Sequence, residues 1–161
     1  MDIEKIITTR RNIKKFKSDE MDHSAILSWL EAATMAPNHK MTEPWEVLFA
    51  GPETRAKLNH KTDFGGAPVV LAILSKHGTT ALERTENMAA VSCFIQNFML
   101  MAWESGVGTF WSSLGTSAKA RLTLNVPEDY DVVGIFGVGY PEEVPEAKGR
   151  TSIKSKIQHL S

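Results

Sequence analysis

The spacing of apolar residues divides the chain into alternating helices and strands. Isoleucines near the N-terminus fall about one helical turn apart and predict a short first helix that ends near Arg10 and Arg11. A second helix is expected from Asp22, a candidate N-cap, to about residue 35. Thr116 is expected to cap a further short helix that runs to about Leu124.

Four apolar runs predict strands. Ala67–Leu74 is continuous and rich in branched residues, which is typical of a central strand covered on both faces. Shorter strands are predicted at Trp45–Ala50 and Thr109–Trp111, and a buried strand with several glycines at Val132–Tyr140. This alternation predicts an α/β or α+β fold with helices on the faces of a sheet. At 161 residues, the chain fits one domain and can bury a real core.

The segment from about Leu82 to Glu104 predicts a long helix that is apolar nearly all round. A helix without a clear polar face must be buried, either in the centre of the domain or against a second chain. A chain of this size has little surface with which to cover such a helix by itself. We therefore favour a symmetric dimer built on this helix over a monomer that wraps it.

The composition excludes several classes of function. The formal net charge is −1, so no global charge attracts nucleic acid or an anionic membrane. No apolar run approaches the length that crosses a bilayer, and Asp2 and Glu4 stand where a secretory leader would be basic. The single Cys93 excludes an internal disulfide and a Cys-rich zinc site, and we expect a cytoplasmic protein.

Basic residues are instead concentrated in two segments near opposite ends of the chain. Arg10, Arg11 and Lys14 belong to the first, and Lys148 and Arg150 to the second. Two such segments indicate one folded site for an anion, first of all a phosphate, because guanidinium groups hold phosphate oxygens bidentately. Taken alone, the Arg pair favours a different interpretation, two solvated cations that complement the negative end of a helix dipole.

Common catalytic motifs are absent from the sequence. The five histidines show no metal-ligand spacing, so we expect no metal site. Ser112 and Ser113 lack the preceding glycine of a nucleophile elbow, and neither a complete dinucleotide fingerprint nor a P-loop occurs. An organic cofactor that carries the electron chemistry would explain why no acid, base or nucleophile stands out.

Four segments, taken together and in this order, resemble the FMN-dependent nitroreductase family. They are Arg10-Arg11-Asn12 with Lys14 and Phe16, Ala36–Trp45 with its Pro37-Asn38-His39-Lys40, Gly106–Trp111, and Gly137–Pro141 with Arg150. The resemblance runs over essentially the whole chain. Asn12 stands where Ser is frequent in the family, Glu43 replaces a frequent Gln, and the short stretch between Lys57 and Ala67 leaves no room for an excursion helix.

The resemblance implies an α+β fold, with a central, mostly antiparallel sheet flanked by helices, in a homodimer around the long apolar helix. Residues 1–161 would form a single domain, and two FMN molecules would lie at the dimer interface. Ten residues would bind FMN: Arg10, Arg11, Asn12, Lys14, His39, Trp111, Ser112, Ser113, Lys148 and Arg150. Within this set, His39 would approach the flavin from the partner subunit, and Trp111, Ser112 and Ser113 would line the isoalloxazine ring.

The implied activity is reduction of nitroaromatic, quinone or similar flat acceptors by NADH or NADPH, in a ping-pong reaction. No side chain would be catalytic in its own right, because flavin N5 carries the hydride. Two alternatives stay open. One is another flavoenzyme on the same scaffold, a dehalogenase-like or enone-reducing enzyme, and the other is a non-catalytic FMN-binding module.

Overall fold

The computed structural model describes residues 2–160 as five helices joined by strands and short turns. The helices are α1 (Ile3–Thr9), α2 (His23–Ala33), α3 (Pro52–Leu58), α4 (Ala81–Glu104) and α5 (Ala118–Thr123). The strands are β1 (Trp45–Phe49), β2 (Val69–Lys76), β3 (Gly108–Ser112) and β4 (Tyr130–Gly139). Within the described part of the chain, no helix is long and apolar enough to cross a membrane.

The four strands form one antiparallel sheet in the order β1-β2-β4-β3. The continuous apolar run predicted as a central strand is β2, which pairs with β1 on one side and β4 on the other. Its residues are buried from Val69 to Ser75, as expected for a strand covered on both faces. The predicted α+β class with an antiparallel sheet is confirmed.

Helices cover both faces of the sheet and form two hydrophobic clusters. On one face, α2 and α4 pack against Leu71 and Ile73 of β2 and Phe136 of β4. On the other face, α3 and α5 lie over Val70 and Leu74. A third, smaller cluster contains Ile13, Phe16 and Ala67, and it joins the segment after α1 to the rest of the core.

The long helix α4 is buried along one side only. Asn87, Val91, Phe94 and Phe98 are among the residues that face the core. The opposite side carries exposed residues, which include Leu82, Ala89, Ser92, Cys93, Gln96 and Met101. One chain therefore leaves one side of this helix uncovered, and the dimer that would cover that side stays a prediction.

One helix start differs from the sequence-based expectation. Ser117, not Thr116, caps α5: the Ser117 side chain accepts a hydrogen bond from the backbone N–H of Ala120. Thr116 ends a preceding 3-10 turn, where its hydroxyl donates to the carbonyl of Ser113. The two neighbouring hydroxyl residues are equivalent in a sequence pattern, and the turn decides which of them caps the helix.

Candidate functional site

The two basic segments meet around one cavity, although more than a hundred residues separate them in sequence. The cavity has a volume of about 670 Å³. Six of the ten predicted cofactor-binding residues line it: Arg10, Arg11, Asn12, Lys14, Lys148 and Arg150. We call this site the cationic cavity. The convergence of the two segments is the arrangement that the sequence predicted.

The first wall of the cationic cavity follows directly after α1 and is tied to the sheet. The backbone N–H of Ile13 donates to the carbonyl of Thr109 at 2.9 Å, and Ile13 itself is fully buried. The side-chain oxygen of Asn12 accepts from the backbone N–H of Trp111 at 3.2 Å. The N–H of Phe16 donates to the carbonyl of Gly65. Residues on both sides of Lys14 are therefore anchored, while the exposed Lys14 lines the cavity.

The second wall is the segment that follows β4, and it is held only at its beginning. The N–H of Lys17 donates to the carbonyl of Tyr140 at 2.9 Å, and the N–H of Glu142 donates to the carbonyl of Lys15 at 3.0 Å. Residues 142–150 are then exposed. The Arg150 guanidinium donates to the nearby backbone carbonyls of Lys148 and Gly149, at 3.3 and 3.5 Å.

Positive charge exceeds negative charge in the cationic cavity. Six cationic side chains line it, against the two carboxylates of Glu143 and Glu146. Burial lowers the pKa of the Arg10 guanidinium, and repulsion from Arg11 and Arg150 lowers that pKa further. Such crowding of like charge is unfavourable in an empty protein and becomes favourable when an anion binds.

The sequence analysis missed three charged residues of this cavity. Lys15, Glu143 and Glu146 all line it beside the predicted cations. Lys15 directly follows Lys14, and both glutamates lie between Tyr140 and Lys148, so proximity in sequence was the available signal. Lys15 adds one positive charge and the two glutamates add two negative charges, so together they reduce the surplus of positive charge in the cavity without removing it.

His39 does not line the cationic cavity of its own chain. It begins a short 3-10 turn, His39–Met41, at a second cavity of about 350 Å³ beside the first turns of α4. In this turn, Lys40 and Met41 adopt left-handed backbone angles, with φ of 54° and 52°. The Asn38 side chain closes the loop by accepting from the N–H of Glu43.

The second cavity also borders a compact group of opposite charges, which we call the Asp131 cluster. The Asp131 carboxylate accepts two hydrogen bonds from Arg84, at 2.6 and 2.8 Å, and lies 3.1 Å from Nε2 of His77. Hydrogen bonding from Arg84 is the main cause that lowers the pKa of Asp131, and the same bond raises the pKa of Arg84. The cluster joins α4 to the start of β4.

Trp111, Ser112 and Ser113 lie at the end of β3, adjoining the first wall of the cationic cavity through the bond between Trp111 and Asn12. Trp111 is 38% exposed and is therefore not a buried core residue. Its indole N–H donates to the carbonyl of Val133 at 3.3 Å, and its ring lies 5.0 Å from that of Phe136. Ser112 is buried and its hydroxyl accepts from the N–H of Leu114. Ser113 is exposed.

The described residues offer no site for a metal ion. Among residues 2–160, no group of three or more His, Cys, Asp or Glu side chains is close enough to hold one. The groups that can donate hydrogen bonds in the cationic cavity are guanidinium, ammonium and amide groups, which suit an anion.

Comparison with known proteins gives a match to one family over most of the chain. The model of the nitroreductase family matches residues 7–62 and 50–140. A Bacillus subtilis protein named "Putative NAD(P)H nitroreductase YfhC" is 31% identical over 179 aligned positions, which cover 96% of this chain and 92% of that protein. An Escherichia coli protein named "Putative NAD(P)H nitroreductase YdjA" is 22% identical, with 95% and 93% covered.

Solved structures agree with this match. A nitroreductase-like family protein from Bacillus cereus superimposes with a TM-score of 0.90 at 28% identity, over 99% of this chain and 96% of that one. The NADPH:FMN oxidoreductase of Vibrio harveyi, solved with NAD+, has the same fold, with a TM-score of 0.88 at 17% identity over 99% of this chain and 77% of its own. With the family model, the relatives and the fold in agreement, this chain belongs to the nitroreductase family.

Proposed function

We propose that the protein is a flavin-dependent oxidoreductase that binds FMN in the cationic cavity and uses NADH or NADPH to reduce nitroaromatic, quinone or similar flat acceptors. Membership of the nitroreductase family and the names of its relatives support the flavin and the nicotinamide donor. Residues 1–161 would form a single FMN-binding domain. The lone Cys93 is consistent with a reducing compartment such as the cytoplasm.

The observation that carries the proposal is the surplus of positive charge in the cationic cavity. The cofactor phosphate has a charge of about −2 near neutral pH and presents several acceptor oxygens. Six cations and two carboxylates leave a surplus that such a group would offset. Burial is the main cause that lowers the pKa of Arg10, and repulsion from Arg11 and Arg150 lowers it further, which is a sign of the same surplus. The residues present therefore fit a phosphate-bearing cofactor.

Each residue of the cavity has a proposed role. Arg10 and Arg150 would hold the phosphate, because a guanidinium can donate two parallel hydrogen bonds to it. Arg11, Asn12 and Lys148 would contact the phosphate or the ribityl chain. Lys14 would stand near flavin N1 and O2, where a positive charge stabilises the anionic reduced ring.

Three further residues would contact the isoalloxazine ring from the sheet. Trp111 and Ser112 end β3, the strand that is bonded to Asn12, and Ser113 follows directly after it. Exposure of the Trp111 ring and of Ser113 is consistent with this role. Ser112 is buried and bonded within its turn, so its contribution would come through the backbone.

We propose that the functional unit is a homodimer that covers the outer side of α4. One chain leaves Leu82, Cys93 and Met101 of this helix exposed. A second copy would bury these residues in a symmetric interface. It would also allow His39, which lies apart from the cationic cavity of its own chain, to reach the cofactor of the partner.

In this proposal, the protein binds and orients, and the cofactor supplies the electron chemistry. When bound, FMN provides hydride transfer at N5, first from NAD(P)H and then to the acceptor. The cationic side chains fix the ring by its phosphate, and Lys14 provides a positive environment for the reduced form. A single cleft beside the ring would hold donor and acceptor in turn, which gives a ping-pong order.

The absorbance spectrum of the purified protein tests this proposal directly. We expect bound FMN, or flavin bands that appear and shift when FMN is added to the apoprotein, and bleaching of these bands by NADH or NADPH. Steady-state rates with a panel of nitroaromatic and quinone acceptors should give parallel lines in double-reciprocal plots. A protein that binds no FMN would overturn the proposal, and bound flavin that NAD(P)H does not reduce would indicate a non-catalytic FMN-binding module.

A further inference from the structure

A left-handed turn lies under the first wall of the cationic cavity. Four consecutive residues, Asp63 to Gly66, have positive φ angles, of 46°, 53°, 70° and 74°. Left-handed backbone is unfavourable for residues with a Cβ, and it is rarely sustained over successive residues. Asp63 and Phe64 therefore need outside contacts to stay in this conformation.

Arg55 of α3 supplies most of these contacts. Its guanidinium donates to both carboxylate oxygens of Asp63, at 2.6 and 3.0 Å, and to the Asp63 carbonyl at 2.9 Å. It also donates to the carbonyl of Ala67 at 2.6 Å, on the other side of the turn. The Arg55 side chain is only 20% exposed, so these bonds are partly shielded from water. The planar guanidinium group of Arg55 is thus hydrogen-bonded to both ends of the turn.

The middle of the turn is fixed by an aromatic pair. Phe64 is fully buried, and its ring stacks on that of His60 with centroids 4.2 Å apart. Nδ1 of His60 accepts from the backbone N–H of Phe64 at 3.1 Å. Burial lowers the pKa of His60, which favours the neutral ring that can accept this bond.

The turn makes direct contact with the backbone of the cationic segment. The Gly65 carbonyl accepts from the N–H of Phe16 at 3.0 Å. A Cβ placed on Gly65 would collide with the carbonyl group of Lys14 and come within 3.3 Å of the Phe16 ring. A Cβ placed on Gly66 would meet nothing within 4 Å. Gly65 is thus the point at which the turn sets the position of Lys14.

We propose that Arg55, Asp63 and Gly65 are positioning residues, which fix the Lys14 ammonium in the cationic cavity through this turn. The inference rests on the proposed binding of FMN there, and it adds residues that do not themselves line the cavity. The backbone of the turn packs against the Lys14 carbonyl at Gly65, and this contact would fix the direction in which the Lys14 side chain leaves the backbone. The strain of the turn is retained because a relaxed turn would not fit under this segment.

The two neighbouring glycines provide a matched test. Gly65→Ala and Gly66→Ala each add a methyl group at a similar positive φ, so both carry a similar backbone strain. Only Gly65→Ala also pushes against Lys14. The FMN dissociation constant is measured for the oxidised and the reduced cofactor, together with the thermal midpoint of each apoprotein.

We expect Gly65→Ala to weaken binding of reduced FMN about tenfold more than binding of oxidised FMN, because a displaced Lys14 stabilises the anionic ring less. Gly66→Ala should leave the ratio of the two constants within about twofold of wild type. Lys14→Gln should change the ratio by itself, and Gly65→Ala should change it no further in the Lys14→Gln background. A purely structural role for the turn would lower the thermal midpoint without moving the ratio.

Conservative substitution at Arg55 gives a second readout. Arg55→Lys keeps the positive charge but loses the planar guanidinium group that bonds both ends of the turn. We expect it to change the ratio of the dissociation constants for reduced and oxidised FMN in the same direction as Gly65→Ala. Equal ratios in wild type, Gly65→Ala and Arg55→Lys would overturn the inference and leave the proposed function intact. Wild-type protein that binds no FMN would overturn the proposed function and this inference with it.

Discussion

Two groups of charged side chains in this molecule differ in how their charges are balanced. In the Asp131 cluster, one carboxylate is shared by Arg84 and His77, and these contacts lower the pKa of the acid and raise that of Arg84. In the cationic cavity, burial and two neighbouring cations lower the pKa of Arg10. The charges of the Asp131 cluster are balanced within the fold, whereas the cationic cavity keeps a surplus of positive charge, which we propose is offset by the cofactor.

The largest effect is expected from removing the most crowded cation. Arg10→Gln should raise the Kd for FMN about 100-fold, because charge-assisted hydrogen bonds to the phosphate are lost. The thermal midpoint of the apoprotein should stay equal or rise, since the repulsion by Arg11 and Arg150 disappears. Fluorescence titration with FMN and thermal unfolding measure the two quantities.

Lys5→Gln is the matched control for this experiment. Lys5 is an exposed cation of helix α1, which ends directly before Arg10, and it does not line the cavity, so its loss should change the Kd less than about twofold. An Arg10→Gln protein that unfolds at a clearly lower temperature would show that Arg10 serves the fold, and the contrast between the two groups of charges would fail.

A smaller effect is expected on the other wall of the cavity. Arg150→Gln should raise the Kd for FMN about tenfold, because Arg150 lies on an exposed segment and part of its bond energy is lost in ordering that segment. Titration under the conditions used for Arg10→Gln gives the comparison. A loss of FMN affinity as large as that for Arg10→Gln would mean that both walls of the cavity are equally well ordered before the cofactor binds.

The Asp131 cluster should behave in the opposite way. Asp131→Asn should lower the free energy of unfolding by about 1 kcal/mol near neutral pH and leave the FMN affinity unchanged. The folded-state pKa of Asp131 is lowered, so its contribution is present above the unfolded-state value near pH ~4 and is lost as the pH falls through the folded-state value. Urea unfolding across this pH range should show wild type and variant converging towards acid.

Salt provides the smallest and most general test. Raising the ionic strength from about 0.05 to 0.5 M shortens the screening length, so the repulsion within the cationic cavity weakens. The free energy of unfolding of the wild-type apoprotein should rise by roughly 0.3 kcal/mol, and that of the Arg10→Gln apoprotein should rise by less. Equal gains in both proteins would indicate that crowding at Arg10 contributes little to the stability of the apoprotein.

Charge was the part of the site that the sequence predicted best. Arg10, Lys14 and Arg150 could be assigned to one anion site because two basic segments stand out in a nearly neutral chain, and the structure brings them together. The strands and the long helix α4 were predictable from apolar spacing. The one-sided burial of α4 was not, because apolar residues such as Leu82 and Met101 also lie on the side that one chain leaves exposed.

The left-handed turn at Asp63–Gly66 could not be predicted from local pattern. Two adjacent glycines indicate a flexible position, but positive φ angles at Asp63 and Phe64 depend on Arg55 and on the buried ring of Phe64. These contacts are tertiary, so no sequence window around the turn contains all of them. The exposure of Trp111 also depends on a tertiary contact, the pairing of β3 with β4.

The segment that carries the first cations also closes one border of the sheet. β3 is the outermost strand, and residues 12 and 13 lie along its free side, through the bridge from Asn12 to Thr109 and the bond from Ile13 to the same residue. An uncovered outer strand offers unpaired N–H and C=O groups to other chains. Removing residues 1–16 should therefore do more than abolish cofactor binding. It should also expose the free edge of β3 to pairing with strands of other molecules, and light scattering should detect the resulting aggregates.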